Sequence, residues 1–240
     1  MVDMAALRAR NAARWAAAKP TRNFISVAKS LVSDAAKAQY QAVQKYTGVP
    51  WYIIAVIHER ESSQNWKGNL AQGDPWNAVS IHVPKGRGPF ESWKTAAIDA
   101  LVNCSPYAAR NHDWSVGGAL TVLEEYNGLG YAARGLPSPY VWSGTDQYIK
   151  GKYVRDGVFD PNEVDKQFGC AGLLMAMMQL DKTIVFGGSK LPIDLPSDPP
   201  PDEFPNGKIT KNVVPSPKPV PAPNPWATWI VSIFKSIFGK

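Results

Sequence analysis

The sequence predicts a mainly α-helical fold with a buried central helix, a small lobe of strands and loops, and a separate tail. Six segments without internal proline carry apolar residues at helical spacing. One of them contains an unbroken apolar run, residues 51–57, so all its faces are apolar and the helix should cross the core. The tail is predicted because 12 of the 21 prolines lie within residues 191–225, where helix and central strand are both disfavoured.

These local patterns also give the bounds of the predicted elements. Helices are predicted over residues 3–18, 30–46, 50–62, 92–103, 115–125 and 170–180. The strand patterns are short, and they predict strands over residues 79–83 and 184–186. Pro50 stands at the start of the central helix, a favoured place because the first turn leaves its N–H groups unpaired in any case.

The chain divides into three predicted regions. Residues 1–190 form a folded domain, residues 191–225 a proline-rich linker, and residues 226–240 an amphipathic helix with large apolar residues every three or four positions. A helix of that length measures about 22 Å, which is too short to span a hydrocarbon core of roughly 30 Å. We therefore expect it to lie in the interface of an anionic membrane. Docking on its own domain or on a partner is the alternative.

The charge balance favours an anionic polymer or surface as the partner. Lys and Arg exceed Asp and Glu by 26 to 20, which gives a formal charge of +6 and long-range attraction to anions. Nucleic acid is the weakest candidate, because the sequence has no basic run and no recognisable nucleic-acid motif. Residues 1–19 lack the apolar region of a secretory signal, so an extracytoplasmic target would require delivery by another component.

The cysteines and histidines do not predict a metal centre, and we expect no cofactor. His58, His82 and His112 are scattered without metal-ligand spacing. Cys104 and Cys170 lie among small or apolar neighbours and outside any Cys-X-X-Cys motif. Buried free thiols are the favoured interpretation for a protein made in the cytosol, and a single disulfide is the alternative.

Two carboxylates at the end of the central helix are the first candidates for chemistry. Glu59 and Glu61 follow the apolar run, where the negative end of the helix dipole and the neighbouring core both raise a carboxyl pKa. A carboxylic acid protonated near neutral pH is what glycosidic cleavage requires. The two project roughly 200° apart on a helix, so only one can face a cleft, and spacing does not choose. Alternatively both are solvated, paired with Arg60 or a nearby lysine.

Two motifs in this region resemble those of the goose-type lysozyme and soluble lytic transglycosylase superfamily. Residues 57–62, Ile-His-Glu-Arg-Glu-Ser, resemble the apolar helix that ends in the catalytic Glu-Ser pair. Residues 125–128, Glu-Tyr-Asn-Gly, resemble the second motif, with glycine in place of the usual small residue. The resemblance implies a lysozyme-like α+β fold, Glu61 as the catalytic acid, and substrate contacts from Ser62, Tyr126 and Asn127.

A longer stretch is similar to phage and prophage lysozyme-like endolysins. The similarity covers about residues 45–185 and rests on three segments in order, residues 59–66, 69–75 and 82–89. The chain lacks the Gly-Leu-Met-Gln segment that typical transglycosylases carry after the acid. The mode of cleavage therefore stays open at this point.

A glycan groove is predicted from residues 126–131 and 138–148, where aromatics, amides and hydroxyls stand among turn formers. Sugars stack on aromatic faces and hydrogen-bond through their hydroxyls. Tyr126, Tyr140 and Trp142 are the predicted aromatic contacts, and Thr145 is a predicted hydroxyl contact. Packing in the core is the alternative for each aromatic residue.

Hydrolysis requires a second carboxylate that activates water, whereas a lytic transglycosylase uses the sugar's own 6-hydroxyl and leaves a 1,6-anhydro end. Asp74, in a Gly-Asp-Pro loop after the central helix, is the candidate base. Its alternative role is that of a turn aspartate before proline.

We therefore expect a monomeric endolysin that acts on peptidoglycan strands and cleaves the β-1,4 bond between N-acetylmuramic acid and N-acetylglucosamine. A muramidase (lysozyme) is the first expectation. A lytic transglycosylase, a chitinase-type enzyme and an inactive lysozyme-like binding module are the alternatives. Such a protein would be made in the bacterial cytoplasm and would act on the wall in the periplasm.

Overall fold

The computed structural model describes residues 2–155 and 157–187, and within them the fold is mainly helical. The predicted linker at residues 191–225 and the predicted helix at residues 226–240 lie outside the described residues. Within these ranges the elements are α1 (Met4–Ala17), α2 (Ile25–Leu31), α3 (Asp34–Thr47), α4 (Trp51–Ser62), α5 (Trp93–Asn103), α6 (Val116–Tyr126), the short α7 (Gly130–Ala133) and α8 (Pro139–Trp142), β1 (Lys152–Arg155), β2 (Val158–Asp160) and α9 (Cys170–Leu180), with a 3₁₀ turn at Ala108–Arg110.

The central helix is α4, as its apolar run predicts. Each residue from Trp51 to His58 is buried, and α4 packs against α2, α3, α6 and α9. Gly48 ends α3 with a left-handed φ of 69°, and Pro50 then begins α4, so a short turn sets the two helices side by side. The polar end of α4 is thereby held at a fixed point on the core.

Helix α1 packs along α6, the helix that ends at Tyr126. Asp3 caps α1 by accepting hydrogen bonds from the backbone N–H groups of Ala5 and Ala6. The buried Asn11 side chain donates to Glu124 (3.1 Å) and to the hydroxyl of Thr121 (3.2 Å) across the interface. The N-terminal helix therefore supports the helix that carries part of the predicted site.

Two strand predictions are wrong, and the strands form elsewhere. Residues 79–83 belong to the long loop between α4 and α5, where Val79 and Ile81 are exposed, and residues 184–186 form no strand. The antiparallel pair is β1 and β2 instead. Alternating apolar residues give a strand only where a neighbouring strand accepts the backbone hydrogen bonds, and neither predicted segment has such a neighbour among the described residues.

The predicted helix at residues 30–46 is divided in the structure. Helix α2 ends at Leu31 and α3 begins at Asp34, with Ser33 between them in an extended conformation. The predictions for α1, α4, α5, α6 and α9 agree with the structure to within a residue or two at each end. No helix in the described part of the chain is both long enough and apolar enough to cross a membrane.

Candidate active site

Glu61 lies in the last turn of α4 and is buried, with 5% of its surface exposed. The hydroxyl of Tyr140, from α8, donates a hydrogen bond to Glu61 Oε1 at 3.1 Å. Tyr126, at the end of α6, lies close enough to Glu61 for the charge of the Glu61 carboxylate to raise the pKa of the Tyr126 phenol. Three segments distant in sequence thus bring one carboxyl and two phenols together, and we call Glu61, Tyr126 and Tyr140 the acid cluster.

The two phenols of the acid cluster stay protonated. Burial, reinforced by the Glu61 carboxylate, raises the pKa of Tyr126 and of Tyr140 well above the ordinary tyrosine value. Tyr140 therefore remains a donor to Glu61 over the whole practical pH range. The Tyr126 hydroxyl is buried and makes no hydrogen bond within the described residues, which leaves it able to donate to a group that enters the site.

A buried ion pair contacts the acid cluster through the ring of Tyr140, and sequence analysis did not predict it. Arg60 donates to Asp165 at 3.0 Å and to the backbone carbonyl of Phe168 at 3.1 Å. Its guanidinium lies 4.6 Å from the centre of the Tyr140 ring, a cation–π distance. Lys152 makes a second ion pair with Asp165 at 3.2 Å. Arg60 and Asp165 are 105 positions apart, so no local pattern could have revealed the pair.

Glu59 occupies a different position from Glu61, although both lie in the last turns of α4. Its side chain is half-buried. Burial raises the pKa of Glu59, while the neighbouring Arg60 opposes the rise. The structure brings Glu61, and not Glu59, into hydrogen-bond contact with Tyr140.

Asp74 is held within its own loop. One of its oxygens accepts hydrogen bonds from the backbone N–H groups of Ile81 and His82, both at 3.0 Å, and the other contacts the His82 ring nitrogen Nδ1 at 2.6 Å. Burial alone would raise its pKa, but these hydrogen bonds outweigh burial and lower the pKa of Asp74. The Asp74 carboxylate therefore stabilises the loop of residues 74–82 by linking its two ends.

Three predicted groove residues lie in the core instead. Trp142 is fully buried, Tyr140 is 3% exposed, and Thr145 is 1% exposed with its hydroxyl donating to the Trp142 carbonyl at 2.7 Å. None of these side chains is accessible to a glycan, so their predicted substrate contacts are wrong. Tyr140 and Trp142 lie on α8, which packs against α6 and α9.

Ser62 and Asn127 flank the acid cluster and are engaged locally. Ser62 is half-buried, and its hydroxyl donates to the His58 carbonyl at 3.1 Å. Asn127 is 9% exposed and donates to the Ser138 hydroxyl at 3.2 Å. The structure thus places both beside the acid cluster, with each side chain hydrogen-bonded to a neighbouring residue.

Cys104 and Cys170 are both free and buried, so the structure contains no disulfide between them. Burial raises the pKa of the Cys104 thiol to about 11, and burial raises that of Cys170 as well. Both are thus inert thiols at neutral pH. Residues 2–155 and 157–187 hold no group of three or more His, Cys, Asp and Glu side chains that could bind a metal ion.

The sequence matches no protein-family model, and comparison with curated proteins and with solved structures finds no significant match. The case for a function therefore rests on the residues and on their geometry.

Proposed function

We propose that the protein is a peptidoglycan-cleaving enzyme that uses Glu61 as general acid on the β-1,4 bond between N-acetylmuramic acid and N-acetylglucosamine. The observation that carries the proposal is the position of Glu61, a buried carboxyl at the end of the core helix that a buried phenol holds at 3.1 Å. Such a carboxyl can be oriented toward a leaving oxygen and can deliver a proton to it.

The protein's own residues would divide the work. Glu61 donates the proton to the departing sugar oxygen. Tyr140 orients the carboxyl and stabilises the carboxylate that remains, and the unpartnered hydroxyl of Tyr126 offers a donor to the substrate. Arg60, fixed by Asp165, holds the ring of Tyr140 from one face. The positive net charge of +6 favours the approach of an anionic wall polymer.

Hydrolysis by a muramidase is the first form of this proposal, and the predicted base for it is Asp74. Lytic transglycosylation is the second, and one observation favours it. The Asp74 carboxylate already accepts hydrogen bonds from Ile81 and His82, which hold it in the loop rather than leave it to activate water. A transglycosylase requires no such base, because the substrate supplies the nucleophile.

The test compares Glu61→Gln with Glu59→Gln on purified peptidoglycan. We expect Glu61→Gln to keep the fold and to lose more than about 100-fold in rate, since the amide preserves shape and removes the proton donor. Glu59→Gln, two residues away, is the matched control and should lose little. Mass spectrometry of the products separates the two forms: reducing ends indicate hydrolysis, and anhydro ends indicate transglycosylation. Equal activity of both variants would contradict the proposal.

A further inference from the structure

A groove opens between the turn that joins α2 to α3 and the start of α5. Its volume is about 460 Å³, within the range of roughly 300–1,000 Å³ that small-molecule sites occupy. Its polar and aromatic lining residues are Ser30, Ser33, Gln39, Gln64, Trp66 and Trp93, and Ala36 and the exposed Ala35 complete it. These are different residues from the acid cluster.

The aromatic side of the groove is a packed platform. Trp66 and Trp93 meet edge to face with ring centres 4.6 Å apart, and Trp66 stacks on Tyr40 at 5.3 Å. The buried ring of His58 lies 4.7 Å from Trp66 and 4.8 Å from Trp93. Trp93 is 6% exposed, so the half-buried Trp66 supplies the accessible indole surface. Because neighbouring rings fix Trp66, a ligand would not have to order that surface.

The polar side of the groove depends on an unusual backbone. Ser63 and Gln64 both adopt left-handed φ values, 52° and 55°, a strained conformation for residues other than glycine. This turn brings the Gln64 amide against α2 and α3, where its nitrogen donates to the Ser30 carbonyl and to the Tyr40 hydroxyl, both at 3.2 Å. Its oxygen accepts from the Ser30 hydroxyl at 2.5 Å. The groove therefore has a fixed amide beside exposed polar groups from Ser33 and Gln39.

The chemistry of the lining selects the ligand. The groove side chains combine indole faces with amides and hydroxyls, and none of the described residues that line it is charged. A phosphate or an anionic lipid head group would find no cation there. An uncharged pyranose ring would place its C–H face on the Trp66 indole and its hydroxyl and acetamido groups on the exposed Gln39 amide and Ser33 hydroxyl.

We propose that this groove is a second saccharide site, which binds an N-acetylated hexosamine ring without cleaving it. The inference rests on the groove's own lining and does not require catalysis at Glu61. If the groove binds saccharide and Glu61 also cleaves it, the protein would bind a glycan at one site and cleave it at another. Binding in the groove would then raise the local concentration of substrate at the acid cluster.

The test uses tri-N-acetylchitotriose as the probe and the indole N–H resonances of the full-length chain as the readout. Trp66→Phe assigns the Trp66 signal. We expect that signal to shift during the titration. Ala35→Arg, at an exposed position on the groove's edge, should weaken the binding reported by Trp66 at least tenfold, because the long side chain fills the groove. Ala38→Arg is the matched control, on an exposed position of the same helix outside the groove, and should bind as the unchanged protein does.

An unperturbed Trp66 signal at saturating probe would overturn the proposal, as would equal affinity of the Ala35→Arg and Ala38→Arg variants. The outcome is separable from the test of Glu61. Probe binding at Trp66 together with an inability to cleave peptidoglycan would support the groove and reject the proposed function. Cleavage of peptidoglycan without any response at Trp66 would support the proposed function and reject the groove as a saccharide site.

Discussion

Glu61 and Asp74 are both buried carboxyls, one in the last turn of α4 and the other in the loop that follows it, but their partners differ. Glu61 accepts from Tyr140, which is 79 positions away on another helix. Asp74 accepts from Ile81 and His82, which are seven and eight positions away in the same loop. A carboxylate whose donors come from its own loop stabilises that loop, whereas one that meets donors from separate elements lies where those elements converge. Convergence of elements, more than burial, marks the candidate catalytic acid.

The largest effect is expected from Asp165→Asn, which tests the rigid support behind the acid cluster. Removing this partner leaves the Arg60 charge buried and uncompensated, and breaking such a pair costs about 3–5 kcal/mol of stability. Asp113→Asn is the control, because the Arg8–Asp113 pair is exposed on both sides and such pairs contribute about 0–1 kcal/mol. Chemical denaturation of the two variants measures the difference. Equal losses would show that burial of the Arg60–Asp165 pair adds nothing.

The pH dependence of Asp165 has a definite sign. Although burial opposes it, Arg60 and Lys152 lower the pKa of Asp165 below the ordinary value of 3.8. The pair's contribution is therefore present above that value and is lost as the pH falls through the lower, folded-state pKa. Asp165→Asn should reduce the acid sensitivity of folding in this window.

Asp74→Asn should give the next largest effect, and it tests directly whether the Asp74 carboxylate stabilises its loop. The amide keeps one acceptor oxygen, but it lacks the negative charge and has an NH2 group in place of the other oxygen, so we expect a loss of about 1.5–3 kcal/mol in stability. Under transglycosylation, the rate of cleavage per folded molecule should change less than about tenfold. Under hydrolysis that rate should fall about 100-fold or more, which would assign Asp74 as the base.

Tyr140→Phe removes a hydroxyl that donates to Glu61 Oε1 and keeps the ring on which Arg60 lies. We expect the cleavage rate to fall about tenfold, the equivalent of about 1.4 kcal/mol, because the acid is no longer held in one orientation. Tyr52→Phe is a suitable control, since its hydroxyl donates to the Val185 carbonyl away from the site. An undiminished rate for Tyr140→Phe would remove this tyrosine from the mechanism.

The smallest effect is expected at Glu124, a third buried carboxyl. Burial raises its pKa above the ordinary value of 4.5, although the hydrogen bond from Asn11 opposes the rise. The folded state thus holds this proton more tightly than the unfolded state, and stability declines as the pH rises from 4.5 through the folded-state pKa. Glu124→Gln should flatten that decline in thermal melts recorded across the window. An unchanged slope would mean that Glu124 does not titrate in the folded protein.

The features that depend on residues close together in the chain were predicted correctly. The apolar run of residues 51–57 predicts a helix buried on every side, and α4 is one. Ser92 predicts the start of α5, where it forms a capping box with Thr95. The position of Glu61 at the polar end of that core helix is likewise visible in the sequence.

Features that depend on distant partners could not be predicted. Residues 79–83 look like a strand, but the loop pairs through Asp74 and Arg87 instead. The pairing of Arg60 with Asp165 depends on the loop before α9, and the burial of Trp142 depends on the packing of α8 against α6 and α9. The groove at Trp66 likewise requires residues from three helices, α2, α3 and α5, and from a loop that is separate from them in sequence.

The contact between α1 and α6 has a consequence for how the site assembles. Asn11 and Glu124 are 113 positions apart, so their hydrogen bond closes a very long loop. The chain loses much conformational entropy on this closure before the bond contributes any stability. The turn at Gly48, in contrast, joins α3 to α4 after a closure of a few residues. Contacts of high sequence separation form slowly. Folding should therefore complete the hairpin of α3 and α4 early and bring Tyr126 beside Glu61 late, so that partly folded chains contain the acid without its surrounding phenols.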